Sequence, residues 1–222
     1  MIFPVENMKK PFRIAIIDYG MSNMFSIENA LNMLGFECLV TRDKGCILSA
    51  DGAILPGVGA FPEAMKRIER FGLDDAISKF ISSGKPFMGI CLGFQLLFDS
   101  SEEMGNTNGL GIIRGQVKNF VKKSTAMRIP HVGWNSVKKN KLWDKEHTQS
   151  PFKNINDGEY FYFVHSCYVS PANKIDICTT TEYDGFEFCS SAGRENVFGC
   201  QYHPEKSGDE GIRTLNEVFN II

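Results

Sequence analysis

Four short apolar runs in the first ninety residues alternate with stretches of helical periodicity. The runs cover residues 13–18, 36–40, 52–55 and 87–90. Near-continuous apolar runs of this length are typical of strands buried on both faces, and their alternation with helices is typical of a parallel sheet covered on both sides. The sequence therefore predicts an α/β fold with an open, mostly parallel, twisted sheet flanked by helices.

The helices between these strands have recognisable ends. Ser22 is a candidate N-cap for the first helix, and Gly35 would end it, because glycine readily adopts the left-handed conformation that terminates helices. Two more helices are predicted over residues 62–70 and 73–82, and a last amphipathic helix over residues 209–222.

The second half of the chain is rich in β-forming segments. Strands are predicted over residues 109–121, 128–137, 158–169, 175–183, 186–191 and 197–202. Asp184-Gly185 lies between two of them and is a strong hairpin signal. We therefore expect a strand-rich C-terminal half that is antiparallel or mixed. The polar stretch 143–149 is predicted to be a surface loop.

Length and charge limit the class of protein. The 222 residues fit a single domain over residues 12–222 that follows a short leader over residues 1–11. A net charge of −2, with charged residues scattered along the chain, gives no footprint for nucleic acid or an anionic membrane. No apolar run approaches the roughly 20 residues that span a bilayer, and residues 1–10 lack the order of a secretory signal. We expect a cytoplasmic protein that acts on a small neutral or zwitterionic substrate.

The seven cysteines include no Cys-x-x-Cys pair, and their odd number argues against a disulfide framework. Four of them recur every eleven residues, at Cys167, Cys178, Cys189 and Cys200. This spacing suggests a zinc site, but metal ligands normally come in close pairs. We interpret the four cysteines as small apolar side chains on successive strands and predict no metal site.

One cysteine has a setting that favours reactivity. Cys91 follows the apolar run 87–90 and is flanked at two residues on either side by Gly89 and Gly93. Gly-x-nucleophile-x-Gly is the pattern of a sharp turn from a strand into a helix, which exposes the nucleophile above the sheet. The N-terminus of the following helix would favour the thiolate. The alternative is a buried structural cysteine at the end of a core strand.

A cysteine nucleophile needs a base, and the base needs a group that orients it. His203 follows a predicted strand, so it should lie at the edge of the sheet where catalytic residues of α/β folds gather. Pro204 favours an extended chain, in which His203 and Glu205 point to the same side. Glu205 could then bind one imidazole nitrogen while the other faces Cys91. The remaining histidines lie in predicted strands or in the polar loop: His131, His147 and His165.

Acyl transfer also needs two donors for the oxyanion. The N–H of Leu92, directly after Cys91, is one candidate. The other should come from the glycine-rich turn Gly57-Val58-Gly59, after the third predicted strand, with Val58 and Gly59 as the residues concerned. Glycines there would permit a peptide flip that turns an N–H towards or away from the site. The alternative is that this turn is only a tight connection.

These segments resemble the class I (triad) glutamine amidotransferases. The matching segments are the elbow Gly-Ile-Cys-Leu-Gly-Phe-Gln and the segment His-Pro-Glu-Lys-Ser, of which the elbow and His-Pro-Glu are shared across that family. His-Val-Gly-Trp-Asn at 131–135 and Pro-Gly-Val-Gly-Ala-Phe at 56–61 are most similar to the glutaminase subunits of imidazole glycerol phosphate synthase in histidine biosynthesis. The resemblance covers about residues 13–222. It implies glutamine hydrolysis through a cysteine thioester, with no cofactor.

The resemblance also implies roles for individual residues. Cys91 would be the nucleophile, His203 the base and Glu205 its orienting group. Residues at positions that touch the glutamine are Gly57, Gln95 and Ser166. In this family a (β/α)₈-barrel synthase forms a heterodimer with the glutaminase and receives its ammonia. The residues at positions that face this synthase are Asn23, Trp134, Tyr162 and Lys206. Cys167 stands where the family usually has a tyrosine near the glutamine pocket.

Two alternatives remain at this point. Relatives of this subunit supply ammonia to other synthases, such as sugar-amination enzymes of surface-polysaccharide pathways. A non-catalytic docking subunit would keep the fold but would not need Cys91, His203 and Glu205 together. We also expect the isolated chain to be a slow glutaminase that its barrel partner activates by flipping a peptide of the 57–59 turn.

Overall fold

The computed structural model describes residues 11–120, 128–146 and 150–220. The sequence predictions that fall wholly or partly outside the described residues are the leader apart from its last residue, the end of the strand at 121, residues 147–149 of the polar loop, which include His147, and the last two residues of the final helix.

A large mixed sheet forms the centre of the described protein, and a separate ribbon of two strands packs beside it. The strands are β1 (Arg13–Ile17), β2 (Glu37–Thr41), β3 (Gly52–Leu55), β4 (Phe87–Ile90), β5 (Phe98–Ser101), β6 (Thr107–Asn108), β7 (Ile113–Asn119), β8 (His131–Ser136), β9 (Lys138–Lys139), β10 (Tyr160–His165), β11 (Cys167–Pro171), β12 (Ile177–Tyr183), β13 (Phe186–Arg194) and β14 (Val197–Cys200).

Five adjacent strands of the sheet run parallel, in the order β2-β1-β3-β4-β14. From β14 the sheet continues through antiparallel pairings to β13, β11 and β7, and β12 also pairs with β13. The ribbon is the antiparallel pair β8 and β10. The prediction of a mostly parallel N-terminal half and a mixed, strand-rich C-terminal half is confirmed.

Helices cover both faces of the parallel strands. The helices of the described residues are α1 (Met24–Met33), α2 (Lys44–Ser49), α3 (Phe61–Phe71), α4 (Leu73–Ser82), α5 (Leu92–Leu96), α6 (Lys141–Glu146) and α7 (Gly208–Asn220). Of these, α6 packs beside β12 rather than on the parallel strands.

Alternate side chains of each central strand pack into two separate hydrophobic cores, one on each face of the sheet. Along β1, Ala15 and Ile17 belong to the core under α2, α3 and α4, whereas Ile14 and Ile16 belong to the core under α1 and α7. This is why the strand reads as a continuous apolar run: both of its faces are buried. None of the helices in the described ranges is long and apolar enough to cross a lipid bilayer.

One predicted strand is two strands in the structure. The sequence predicts a single strand over residues 158–169, but β10 ends at His165 and β11 begins at Cys167 in a different sheet. Ser166 is the junction between them. Both strands are half-buried, so the apolar pattern of the sequence continues across Ser166. The pattern therefore does not show where one strand ends and the next begins.

The predicted surface loop at 143–149 is wrong for its described part, which belongs to α6. Trp143 is fully buried, and its Nε1 donates to the Ser150 hydroxyl across 2.6 Å. A single large aromatic side chain thus anchors an otherwise polar segment to the core.

Two helix predictions also need correction. Asn23, not Ser22, occupies the N-cap of α1. Helix α2, which is short, was not predicted. The sequence feature that marks its start is Asp43, whose side-chain carboxylate caps the helix by accepting from the N–H of Cys46 across 2.8 Å.

Candidate active site

Cys91 lies at the carboxyl edge of the parallel strands, in the turn between β4 and α5. Its N–H donates to the carbonyl of Cys200 across 2.9 Å, so β4 and β14 end side by side. Cys91 has φ 54° and ψ −111°, an unfavourable conformation for a residue with a side chain. The turn therefore concentrates backbone strain on the residue that the sequence predicts to be reactive.

The glycines on either side of Cys91 are required by close packing. A Cβ on Gly93 would overlap the backbone carbonyl of Leu55 in β3, and a Cβ on Gly89 would lie 2.8 Å from the Cα of Phe94. Neither glycine has a positive φ, whereas Cys91 does. The glycines thus allow α5 to approach the sheet closely, and Cys91 itself makes the bend.

His203 reaches the same edge of the sheet from β14. Its Nδ1 and the Oε1 of Glu205 are 2.8 Å apart, and both side chains are almost fully buried. His203 is extended, as predicted, but residues 204–206 form a 3₁₀ turn that brings Glu205 back to the ring. The Nε2 of His203 makes no hydrogen bond to any described group.

The pKa of His203 is raised to about 10. Burial alone would lower the pKa of this imidazole, but the nearby Cys91 sulfur and the Glu205 carboxylate outweigh it because both stabilise the positive charge. His203 is therefore protonated at neutral pH and holds a proton at the edge of the cavity that it shares with Cys91.

A cavity of about 280 Å³ opens over Cys91. Of the residues predicted for the site, its walls contain Val58, Gly59, Cys91, Leu92, Gln95, Ser166 and His203. Gly57 is not among them, because it is buried against the Tyr19 hydroxyl and Leu92. The wall also contains Cys167, which the resemblance places near the glutamine pocket, and His165, one of the remaining histidines. Wall residues that the sequence did not single out are Glu103, Pro130 and Val164.

Two of the candidate oxyanion donors, Leu92 and Val58, are in different states. Leu92 is the first residue of α5, so its N–H belongs to a helical turn that has no intrahelical acceptor for it. The N–H of Val58 instead donates to the carbonyl of Met21 across 2.9 Å. The preceding peptide is fixed by the buried Tyr19 hydroxyl, which donates to the carbonyl of Pro56 across 2.9 Å. Val58 is therefore not a donor to the cavity in this structure.

A buried pair of amides joins the cavity wall to Cys91. Gln95 Nε2 donates to the Cys167 carbonyl (3.2 Å) and to Gln201 Oε1 (2.9 Å). Gln201 Nε2 lies 3.7 Å from the Cys91 sulfur. Sequence reasoning missed Gln201, although Gln201 lies in the predicted strand that leads to His203 and is two residues from it.

A second buried pair lies behind the cavity. His131 Nδ1 is 3.0 Å from His165 Nε2, and His165 Nδ1 is 2.7 Å from the carbonyl of Cys167. Because a carbonyl only accepts, His165 carries its proton on Nδ1, and His131 then donates to His165. Burial lowers the pKa of His165 to about 3 and the pKa of His131 to about 4, so both are neutral.

Comparison with known proteins identifies the family. The family model described as glutamine amidotransferase class-I matches residues 15–221. The chain belongs to this family. The glutamine amidotransferase is 46% identical over 212 residues to the imidazole glycerol phosphate synthase subunit HisH of Bacillus cytotoxicus, with 94% of this chain and 95% of the relative covered. It is 45% identical over 210 residues to the subunit of the same name from Caldanaerobacter subterraneus, with 94% and 98% covered.

Solved structures share the fold of this amidotransferase. PurLQS from Thermotoga maritima superposes with a TM-score of 0.69 at 23% identity, covering 95% of this chain and 98% of that one. Another glutamine amidotransferase from Thermotoga maritima gives a TM-score of 0.60 at 15% identity, with 95% of this chain and 83% of that one covered.

The residues predicted to face a partner are on the surface of the amidotransferase. Asn23 and Lys206 are exposed, and Trp134 packs edge-on to Tyr162 on the β8–β10 ribbon, with ring centres 6.2 Å apart. The carbonyl of Tyr162 accepts from the N–H of His203 across 2.9 Å. The ribbon is thus bonded directly to the segment that carries the candidate base.

The four regularly spaced cysteines of the amidotransferase are buried on four successive strands, as predicted. Cys167 and Cys189 belong to one core and Cys178 and Cys200 to the other, so the sheet separates the two pairs.

Proposed function

We propose that this chain is the glutaminase subunit of imidazole glycerol phosphate synthase and hydrolyses L-glutamine to glutamate and ammonia. The observation that carries the proposal is the arrangement at one cavity of Cys91, in a strained elbow, and His203, whose Nδ1 is held by Glu205 across 2.8 Å. A docking subunit would have no use for this arrangement, because the strained conformation of Cys91 costs stability.

The first half of the reaction forms a thioester. The Cys91 thiolate attacks the side-chain amide carbon of glutamine, forming a C–S bond as the carbonyl electrons move to oxygen. The resulting oxyanion is bound by the N–H of Leu92 and by one from the 57–59 turn. As the oxyanion collapses, the C–N bond breaks, and protonated His203 gives its proton to the leaving nitrogen, which departs as ammonia.

The second half releases glutamate. Neutral His203 takes a proton from water, whose oxygen attacks the thioester carbon. The second oxyanion collapses, the C–S bond breaks, and its electron pair returns to Cys91 as thiolate. The product carboxylic acid loses its proton to solvent and leaves as glutamate. Glu205 holds the ring through Nδ1 in both halves, so the same Nε2 gives a proton first and takes one later.

The cavity suits a zwitterionic substrate. Glu103 is a carboxylate on its wall and is held by the N–H of Phe61 across 2.7 Å, so it can attract the α-ammonium group. Gln95 and Ser166 supply neutral polar groups on the same wall. We assign these three side chains to glutamine binding.

We propose that the ammonia passes to a (β/α)₈-barrel synthase subunit in a heterodimer. Identity of 45–46% over 94% of the chain to subunits named HisH favours this acceptor over the sugar-amination alternative. The exposed Asn23, Trp134 and Lys206 and the half-buried Tyr162 would form the contact, and the complex would act in the cytoplasm. Pull-down of the native partner from cells, followed by mass spectrometry, tests this assignment: a polysaccharide-pathway synthase in place of the barrel would contradict it.

The catalytic assignment is tested by comparing two cysteine variants. Glutamate release is measured with the synthase partner present, for Cys91→Ser and for Cys189→Ala, a matched substitution of a buried cysteine away from the cavity. Cys91→Ser should lower turnover by about 10³-fold or more because it removes the nucleophile. Cys189→Ala should act through stability and leave turnover close to wild type. Substantial turnover by Cys91→Ser would contradict the proposal.

A further inference from the structure

Gln201 is a fully buried amide beside the candidate nucleophile. It directly follows β14, and Cys91 directly follows the neighbouring parallel strand β4. Because Ile90 and Cys200 are partners in the ladder, Cys91 and Gln201 emerge side by side at the edge of the sheet. The N–H of Gln201 donates to the Ser190 carbonyl across 2.8 Å, which fixes the backbone from which its side chain extends.

The surrounding groups fix the direction of the Gln201 amide. The Cys167 carbonyl can only accept, so Gln95 must turn its Nε2 towards it, at 3.2 Å. The same Nε2 lies 2.9 Å from Gln201, which must therefore present its Oε1. This leaves the Nε2 of Gln201 to point at the Cys91 sulfur, at 3.7 Å. A reversed amide would place two N–H donors against each other.

We propose that Gln201 is a positioning residue that holds the Cys91 thiolate in place and stabilises it with an N–H···S hydrogen bond. The inference rests on the proposed function, since it concerns the same nucleophile. A hydrogen bond to an ionised group is stronger than one between neutral groups, and it favours the thiolate over the thiol. Through Gln95, which lines the cavity, the glutamine site and the nucleophile share one network of hydrogen bonds.

Other titratable groups also face Cys91 and are unchanged by substitution at position 201. His203, Tyr19 and Cys200 interact electrostatically with its sulfur. The remaining titratable residues on the cavity wall are Glu103, His165 and Cys167. Because these neighbours are the same in both proteins, a difference in the pH dependence of Cys91 alkylation between wild type and a Gln201 variant reports the loss of the Gln201 amide.

The test compares Gln201→Met, which keeps the length of the side chain but has no donor, with wild type. The rate of Cys91 alkylation by iodoacetamide is measured from pH 5 to 10, and glutaminase kcat and KM are measured with the partner present. We expect the midpoint of the alkylation profile to move up by about one to two pH units. We also expect kcat to fall about ten- to hundredfold, with a smaller change in KM.

Asn196→Ala is the matched control. This amide, in the turn before β14, donates to the carbonyls of Ile81 and Lys85 at the opposite end of the strand. Its loss should lower stability without moving the alkylation profile, so the control separates a local effect on Cys91 from general destabilisation.

Gln201→Leu also has no donor and provides a second test if the methionine variant does not fold. The N–H···S hydrogen bond is again absent, so the midpoint should again move to higher pH. An unchanged profile in either folded variant would overturn the inference. Alkylation does not require glutamine turnover, so this result is distinct from failure of the proposed function, which retained glutaminase activity in Cys91→Ser would reveal.

Discussion

The N–H of Val58 donates to the carbonyl of Met21 across 2.9 Å. An N–H that is held by one acceptor is not available to another, so of Leu92 and Val58 only Leu92 can serve an oxyanion at Cys91 in this state. The buried hydroxyl of Tyr19 fixes the peptide just before the turn, and Gly57 and Gly59 lie on either side of Val58. The structure therefore has the resting arrangement that a partner could change by turning one peptide.

We expect the isolated chain to hydrolyse glutamine slowly and the barrel synthase to accelerate it. One oxyanion donor contributes about 10²–10³ in rate, so the partner should raise kcat by about that factor when it turns Val58 towards the cavity. The measurement is steady-state glutamate release with and without partner. Full-speed hydrolysis by the chain alone would contradict a resting state.

Residues on the proposed partner surface should affect activation and leave the reactivity of Cys91 unchanged. Trp134→Ala and Lys206→Ala should reduce the acceleration by the partner, because a partner can shift the equilibrium only by its difference in contact energy between the two states. Their rates of Cys91 alkylation should equal that of wild type. Lys79→Ala, an exposed lysine on α4 paired with Asp75, is the control and should be activated normally. If the partner activated all three variants equally, the surface around Trp134 and Lys206 would not be the one through which the partner activates the chain.

The protonation of His203 depends on Glu205. In wild type, the pKa of His203 should be about 10, because the Cys91 sulfur and the Glu205 carboxylate together outweigh burial. Glu205→Gln keeps a polar partner but removes one of these two stabilising charges. The pKa of His203 should therefore fall in this variant. Nitrogen-15 NMR of the imidazole measures both values, with His203→Gln to identify the signal. A wild-type titration near 6.5, or one unaffected by Glu205→Gln, would contradict the assigned pairing.

The sequence was sufficient for the parts of the fold that local pattern determines. The first four strands and α4 have two buried faces or strong helical periodicity, and their predicted limits differ from the structure by one residue at most. The break at Ser166 could not be predicted, because it depends on which sheet each half joins. The burial of Trp143 depends likewise on a tertiary contact with Ser150.

The candidate site was predictable where spacing alone brings groups together. His203 and Glu205 are two residues apart, and their contact follows from that spacing together with the turn at Pro204. The bond between Val58 and Met21 and the amide pair Gln95 and Gln201 join residues that are distant in sequence. Only the order of the parallel strands makes them neighbours.

Gly93 should be the most sensitive glycine at the elbow. Gly93→Ala would force a Cβ into the backbone carbonyl of Leu55, which cannot move without displacing β3. We expect a loss of unfolding free energy of about 3 kcal/mol or more, measured by chemical denaturation. Gly45→Ala is the control, because its Cβ would meet only the Asp43 side chain at 3.2 Å; its unfolding free energy should change by less than about 1 kcal/mol. Similar losses in both variants would contradict the packing explanation.

Acid should destabilise the protein through His165. Burial lowers its pKa to about 3, and an unfolded histidine has a pKa near 6.5, so the unfolded state binds a proton that the folded state excludes. Stability is therefore lost as pH falls from 6.5 towards 3. Between pH 7 and pH 5, His165 alone should reduce the unfolding free energy by about 2 kcal/mol. His165→Gln should remove that part of the pH dependence, and an identical dependence in both proteins would show that His165 is not held neutral.

The most direct test of the central claim is covalent labelling by a glutamine analogue with an electrophilic carbon, 6-diazo-5-oxo-L-norleucine. Wild-type protein in complex with its partner is incubated with the analogue, and the modified residue is located by peptide mass spectrometry. We predict a single adduct on Cys91 that excess glutamine prevents, that Cys91→Ser lacks, and that forms more slowly in His203→Gln. Labelling of another cysteine, or no adduct at Cys91, would contradict the account.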